Sequence, residues 1–135
     1  MKRCTAREQI AQAGLAARCE VVAGDMFEAV PSRGDYYLLR QILKDWTDEQ
    51  DVRILQNCLR AMHPRGRILV AEQAFAPGRA DLLAKLTDLV LMVTLPGRER
   101  DQYEFEQLFA RADLMLQRVL PADSAYTILE VCPSR

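Results

Sequence analysis

A chain of 135 residues, half of them hydrophobic and about a quarter charged, has the proportions of one globular domain built on one core. A formal charge of −1 and a pI near 5.9 give no long-range pull on a nucleic-acid backbone, and the basic residues are interspersed with acidic ones, so nucleic acid is not an expected partner. No run of about 18 apolar residues is present and the start, MKRCTAREQ, lacks the apolar stretch of a secretory signal, so neither a membrane partner nor export is expected and the location should be cytoplasmic. The four cysteines, Cys4, Cys19, Cys58 and Cys132, contain no C-x-x-C pair; neither a zinc knuckle nor a disulfide framework is expected, no metal site is assigned, and the thiols should be free and mostly buried.

In chain order, Thr5 followed three residues later by Glu8 is a capping box that opens a short helix, which Gly14 should end. Cys19 to Val22 has the β-branched content of a short strand, and Gly24-Asp25 turns the chain into the loop DMFEAVPSRGD. A second strand is predicted at Tyr36 to Leu39. Thr47 with Gln50 repeats the capping box, and Val52, Leu55, Leu59 and Met62 recur at helical spacing with Ile54 and Cys58 on the flank. Pro64 and Gly66 end that helix, after which Arg67 to Glu72 reads as a buried parallel strand. Ala80 to Leu95 is a helix apolar over most of its surface and must be covered on several sides. Asp101 and Glu104 give a third cap, ahead of the stripe Phe105, Leu108, Phe109 and Ala112. Met115 to Leu120 and Tyr126 to Val131, separated by the turn-prone Pro121-Ala122-Asp123-Ser124, suit an antiparallel pair. This alternation describes an open α/β sheet with an antiparallel finish.

Three blocks, GDMFEAVP, then YYLLRQILKDWTDEQDVRILQNCLRAMHPRGRILVAEQ, then LPGRERDQYEFEQLFARA, together resemble the catalytic domain of plant-type and actinobacterial small-molecule O-methyltransferases, which depend on S-adenosylmethionine. The resemblance extends over nearly all of the chain and keeps the family's order and spacing. It implies an incomplete Rossmann-like class I methyltransferase sheet of strands 3, 4, 5, 7 and 6 with an antiparallel last strand. In the family order 3-2-1-4-5-7-6, strands 1 and 2 would be absent. Residues 1–135 are thus expected to form a single partial methyltransferase domain that lacks the family's helical dimerisation region and its glycine-rich cofactor loop. The six glycines, at 14, 24, 34, 66, 78 and 97, never form G-x-G.

By the same resemblance Asp25 and Met26 occupy the positions that bind the cofactor. A carboxylate can accept a hydrogen bond from an adenine amino group and a thioether can pack on the purine face. Taken without the other blocks, the pair is equally a turn aspartate beside a core methionine. Arg40 stands where the family has a cofactor-binding lysine and keeps its charge but not its shape. Lys44, in Lys44-Asp45-Trp46, takes the place of the catalytic histidine, and Glu72 and Glu99 match the acidic residues that flank and orient it. A histidine titrates near neutrality, whereas a lysine with its reference pKa of about 10.4 already holds its proton, so Lys44 is expected as a charged residue ion-paired with its acidic neighbours. The resemblance puts the acceptor near Trp46, Asp88, Leu91 and Met92, the last three on a helix whose apolar residues could equally be core. His63, beside Pro64, reads as a solvated surface residue.

The implied function is transfer of a methyl group from S-adenosylmethionine to a hydroxyl of a small aromatic or polyketide-like molecule, with an isolated chain inactive because its cofactor site is partial. A complementing upstream segment, or exchange in a homo-oligomer, is the expected partner; strand 3 moving directly beside strand 4 is the other way to cover the sheet gap. The alternatives are a degenerate, non-catalytic interaction module and a relative whose chemistry changed when the histidine was lost.

Overall fold

The α-helices of the computed structural model, which describes residues 5–72, 97–121 and 126–134, begin at side chains that accept backbone N–H groups the helix itself leaves unsatisfied. Thr5 caps α1 (Ala6–Gln12), with Glu8 returning a 2.7 Å bond to the Thr5 N–H. Thr47 caps α2 (Asp48–Ala61), with Gln50 accepting from Thr47 at 3.1 Å. Asp101 caps α3 (Gln102–Arg111), with Glu104 accepting from Asp101 at 2.9 Å. All three capping boxes predicted from sequence are formed. Just after α1 the chain reverses at Gly14, whose φ of 69° lies in the left-handed region open to glycine.

The strands are β1 (Tyr36–Arg40), β2 (Arg67–Glu72), β3 (Leu114–Pro121) and β4 (Thr127–Pro133), hydrogen-bonded in the order β1-β2-β4-β3. β1 and β2 run parallel, with Tyr36 opposite Arg67 and Arg40 opposite Ala71, so a crossover is required and α2 supplies it. β4 is antiparallel to both β2 and β3, and the β3–β4 register shifts between Leu116 and Arg118. These are strands 4, 5, 7 and 6 of the expected sheet. Glu130 of β4 lies within ion-pair range of Arg67 of β2, at 3.7 Å, and of Arg118 of β3, tying three strands together.

The core joins α2 and α3 to the sheet through Leu55, Cys58, Phe105, Leu108, Phe109, Ile68, Val70, Leu129 and Val131. On α2 the fully buried line is Asp51, Ile54, Leu55 and Cys58, while Val52, Leu59 and Met62 pack at its margin. The predicted stripe is therefore rotated slightly and takes in a carboxylate.

Two expectations need correction. Cys19 to Val22 forms no strand: it is irregular and pairs with none of β1 to β4, so strand 3 has not moved beside strand 4. β-Branched content favours an extended chain, but a strand exists only where a neighbour takes its hydrogen bonds, and none is offered here. The thiols are not mostly buried either: Cys58 is buried, Cys132 is half-buried and Cys19 is exposed. Cys4, the predicted helix from Ala80 to Leu95 and most of the predicted turn before β4 lie outside the described residues.

β1 pairs on one side only among the described residues, and its outer residues Tyr36 and Leu38 are 66% and 62% exposed. His63 is exposed, as expected. Among the described residues no helix is long and apolar enough to cross a membrane.

Candidate active site

Parallel strands in open α/β sheets present ligands at their carboxyl ends. Here those ends are Arg40 and Glu72, and the chain leaving β1 bends at Gln41, a non-glycine residue at φ 53°, into a single 3-10 turn, Leu43–Asp45. The Gln41 N–H donates to the Ala71 carbonyl at 3.0 Å, and its side-chain amide donates to the Tyr126 hydroxyl at 2.6 Å. These bonds hold a conformation that would otherwise cost about 1–2 kcal/mol.

The 3-10 turn is fixed from three sides. Leu43 is fully buried, and its N–H donates to Glu72 Oε1 at 3.0 Å. The Leu43 carbonyl accepts from Arg100 Nη1 at 2.9 Å. Gly97 closes the third side, where an added Cβ would fall 1.8 Å from the Lys44 carbonyl oxygen and 2.6 Å from the Asp45 carbonyl carbon. No side chain fits that approach, so glycine at 97 lets the 97–100 segment lie on the turn and brings Glu99 into the electrostatic range of Glu72.

Arg100 is itself 1% exposed. Beyond Leu43 it donates to Asp48 Oδ1 at 2.6 and 3.2 Å and pairs with Asp51 Oδ2 at 2.9 Å, so one guanidinium joins the turn to the amino end of α2. Asp48 is held below the usual carboxylate range, first by its bond to Arg100. Asp51 is pushed up to about 8, because its complete burial outweighs a guanidinium already engaged by Asp48 and the Leu43 carbonyl. Sequence reasoning missed both residues. The available signal was an aspartate three and four positions before Ile54 and Leu55, on the helix's buried line, which a cation has to accompany.

Glu72 is 1% exposed, and burial is the main cause of its rise to about 7. The bond from Leu43 and the charge of Lys44 act in the opposite direction, while Glu99 adds to the rise. Lys44 favours the Glu72 carboxylate through its charge, but the expected ion pair with Glu72 is not formed among the described residues, and desolvation prevails. Glu99 is buried and Lys44 half-buried.

The other predicted positions fall around this turn. Trp46 is half-buried and meets Phe27 edge-on at 4.9 Å, and Asn57 of α2 donates to the Met26 carbonyl at 2.7 Å, so the GDMF block is anchored beside the turn by two residues the sequence did not single out. Asp25 is exposed, with Oδ1 accepting the Phe27 N–H at 2.8 Å, and Met26 is half-buried; both line an open cleft of about 460 Å³ with Val22, Gly24, Glu28 and Val30. That cleft can take one end of a nucleoside cofactor: Asp25 keeps acceptor capacity beyond its local bond, and Met26 offers a polarizable surface. Arg40 is exposed and stacks over the Tyr126 ring at 5.2 Å. Asp88, Leu91 and Met92 lie outside the described residues.

A parallel pair flanked by an antiparallel strand, with a carboxylate-lined turn at the carboxyl ends, is part of a class I methyltransferase sheet. The chain belongs to the O-methyltransferase domain family, whose pattern matches residues 4–114. It is 41% identical over 128 residues to a phenazine O-methyltransferase of Lysobacter antibioticus, a match that covers 95% of this chain and 38% of that protein. Among solved structures it resembles the mitomycin 7-O-methyltransferase MmcR, with a TM-score of 0.89 and 37% identity, covering 95% of this chain and 38% of that one. It also resembles an O-methyltransferase from neocarzinostatin biosynthesis, NcsB1, solved in complex with S-adenosylmethionine and 2-hydroxy-5-methyl naphthoic acid, with a TM-score of 0.85 and 30% identity, covering 95% of this chain and 37% of that one. The family's cofactor is S-adenosylmethionine. The chain spans less than two-fifths of the length of these relatives.

Proposed function

We propose that this chain forms the acceptor-side part of an S-adenosylmethionine-dependent O-methyltransferase that methylates a hydroxyl of a small aromatic or polyketide-like molecule. The observation that carries this reading is the convergence of Lys44, Glu72 and Glu99 on one locked turn, with Trp46 beside it and the Asp25–Met26 cleft adjoining. S-adenosylmethionine supplies an electrophilic methyl group. The residues of this chain supply one end of its binding site through Asp25 and Met26, hold the turn through Gly97 and Arg100, and set the charge around the acceptor through Lys44 and the two glutamates.

The cleft at Asp25 and Met26 engages one end of the cofactor, and affinity for a ligand of that size requires most of its surface to be engaged. A complementing upstream segment, paired along the open edge of β1, is the partner that would complete the site; a second copy of the chain is the other source of such a segment. Residues 1–135 act on this reading as one partial domain.

Calorimetry with S-adenosylhomocysteine tests the reading. The chain alone should show no binding at micromolar concentrations, and a chimera that joins it behind the amino-terminal part of the Lysobacter enzyme should bind. The chimera should then transfer labelled methyl from S-adenosylmethionine to a hydroxyphenazine or to 2-hydroxy-5-methyl naphthoic acid, which are the chemical types that its relatives' names carry. Micromolar binding by the chain alone, or a folded, cofactor-binding chimera inert towards every hydroxylated aromatic offered, would overturn it.

A further inference from the structure

Lys44 stands where the family resemblance expects a catalytic histidine, and the group near it that can take up a proton is the Glu72 carboxylate. We propose that Glu72 is the acceptor of the substrate's hydroxyl proton, with Lys44 acting as the cation that keeps the Glu72 carboxylate ionised and ready. This deepens the methyl-transfer reading above and rests on it.

Three observations converge. Glu72 closes β2, at the ligand-binding end of the parallel pair, and is fixed by the bond from the Leu43 N–H to Oε1. Its second oxygen, Oε2, is buried and has no hydrogen-bond partner among the described residues. A buried acceptor oxygen left open beside a candidate active site is suited to an incoming O–H donor. Among the described residues, three charged groups act on Glu72. Lys44 on the turn lowers the proton affinity of Glu72, and Glu99 from the 97–100 segment raises it. Asp51 of α2 interacts with Glu72 electrostatically, while Arg100 is engaged by Asp48 and Asp51. Burial, which outweighs these charges, pushes the Glu72 carboxyl up to about 7, close to the working pH at which a general base is most effective.

The step balances. The acceptor's O–H bond breaks and its proton passes to Glu72 Oε2. The freed oxygen electron pair forms the new C–O bond to the methyl carbon as the S–CH3 bond breaks, and the bonding electrons return to sulfur. One carboxylate charge and one sulfonium charge disappear together, leaving a methyl ether, a neutral thioether and a protonated Glu72.

The substitution Glu72→Gln separates this role from a structural one, because the amide oxygen can still accept the Leu43 N–H. In the chimera, Glu72→Gln should lower kcat about 100-fold or more with KM changed less than about threefold. The kcat of the unsubstituted chimera should rise with pH through a value near 7, and Lys44→Ala should move that profile to higher pH, since removing a positive charge strengthens the proton's hold on Glu72. A Glu72→Gln chimera with undiminished kcat would overturn the proposal while leaving the methyl-transfer reading intact. A second measurement needs no turnover: carbon-13 NMR of the carboxyl groups in the chain itself, with Glu72 assigned from the Glu72→Gln spectrum. Titration of Glu72 near 7 supports the proposal; a Glu72 carboxylate still ionised at about pH 5 defeats it, whatever the chimera does.

Discussion

A Cβ at position 97 would fall inside the van der Waals envelope of the Lys44 carbonyl, so Gly97→Ala cannot be absorbed by a side-chain rotation. The 97–100 segment or the 3-10 turn has to shift, and the bonds that the Leu43 carbonyl accepts from Arg100 and the Leu43 N–H donates to Glu72 weaken with it. The variant should be destabilised by about 1–3 kcal/mol in urea unfolding, in the range of other overpacked contacts. Trp46, the only tryptophan in the sequence, follows the turn directly, so its fluorescence should change in the folded state as well. Unaltered stability and emission would show that the segment does not lie on the turn. At this scale the sequence revealed residue types and little of their environment. Lys44, Glu72 and Glu99 were marked by their place in matching blocks. Arg100, Asp51, Asn57 and Phe27 lie in the same blocks without being marked, because each acts through a partner between 19 and 57 positions away in the chain.

Secondary-structure elements were more legible, since the signals that start and stop them are local. Thr5, Thr47 and Asp101 cap the three helices through bonds spanning three residues, which any reading of the sequence can find. Their energetic weight depends on what the helix buries. Thr47→Ala should cost about 1 kcal/mol of global stability, because α2 places Ile54, Leu55 and Cys58 in the core. Thr5→Ala should leave the global unfolding midpoint unchanged, because α1 has no buried residue. Equal losses from the two substitutions would contradict the division between a core helix and a peripheral one. The failure at Cys19 to Val22 has the same root: strand composition is a local property, whereas strand formation requires a neighbour from another part of the fold.

Among the described residues, the buried carboxyls of Glu72 and Asp51 carry the upward shifts that bear on the pH dependence of stability. Glu72 and Asp51 have folded-state pKa values of about 7 and about 8, above their ordinary values of 4.5 and 3.8. Below the ordinary values both folded and unfolded chains hold these protons. As pH rises, the unfolded chain releases them first, so stability falls progressively until the folded values are passed. Asp48, Glu49 and Glu104 are shifted the other way, and their contribution is lost only on acidification below roughly pH 4. The urea midpoint should therefore be higher at about pH 5 than at about pH 8.5, and the double variant Glu72→Gln with Asp51→Asn should flatten that difference. A midpoint that rises with pH across this window would contradict the environment described for both carboxyls.

The α/β alternation, the three capped helices, the strands β1, β2, β3 and β4 to within a residue or two, and the family to which the chain belongs were all legible before folding, because periodicity, caps and ordered motif blocks are written in neighbouring residues. Packing between distant segments leaves Cys19 to Val22 outside the described sheet, joins the turn to α2 through Arg100, and makes the burial of Glu72 outweigh the charge of Lys44. Those outcomes depend on desolvation and on contacts between distant segments, quantities that come into being when the chain closes on itself.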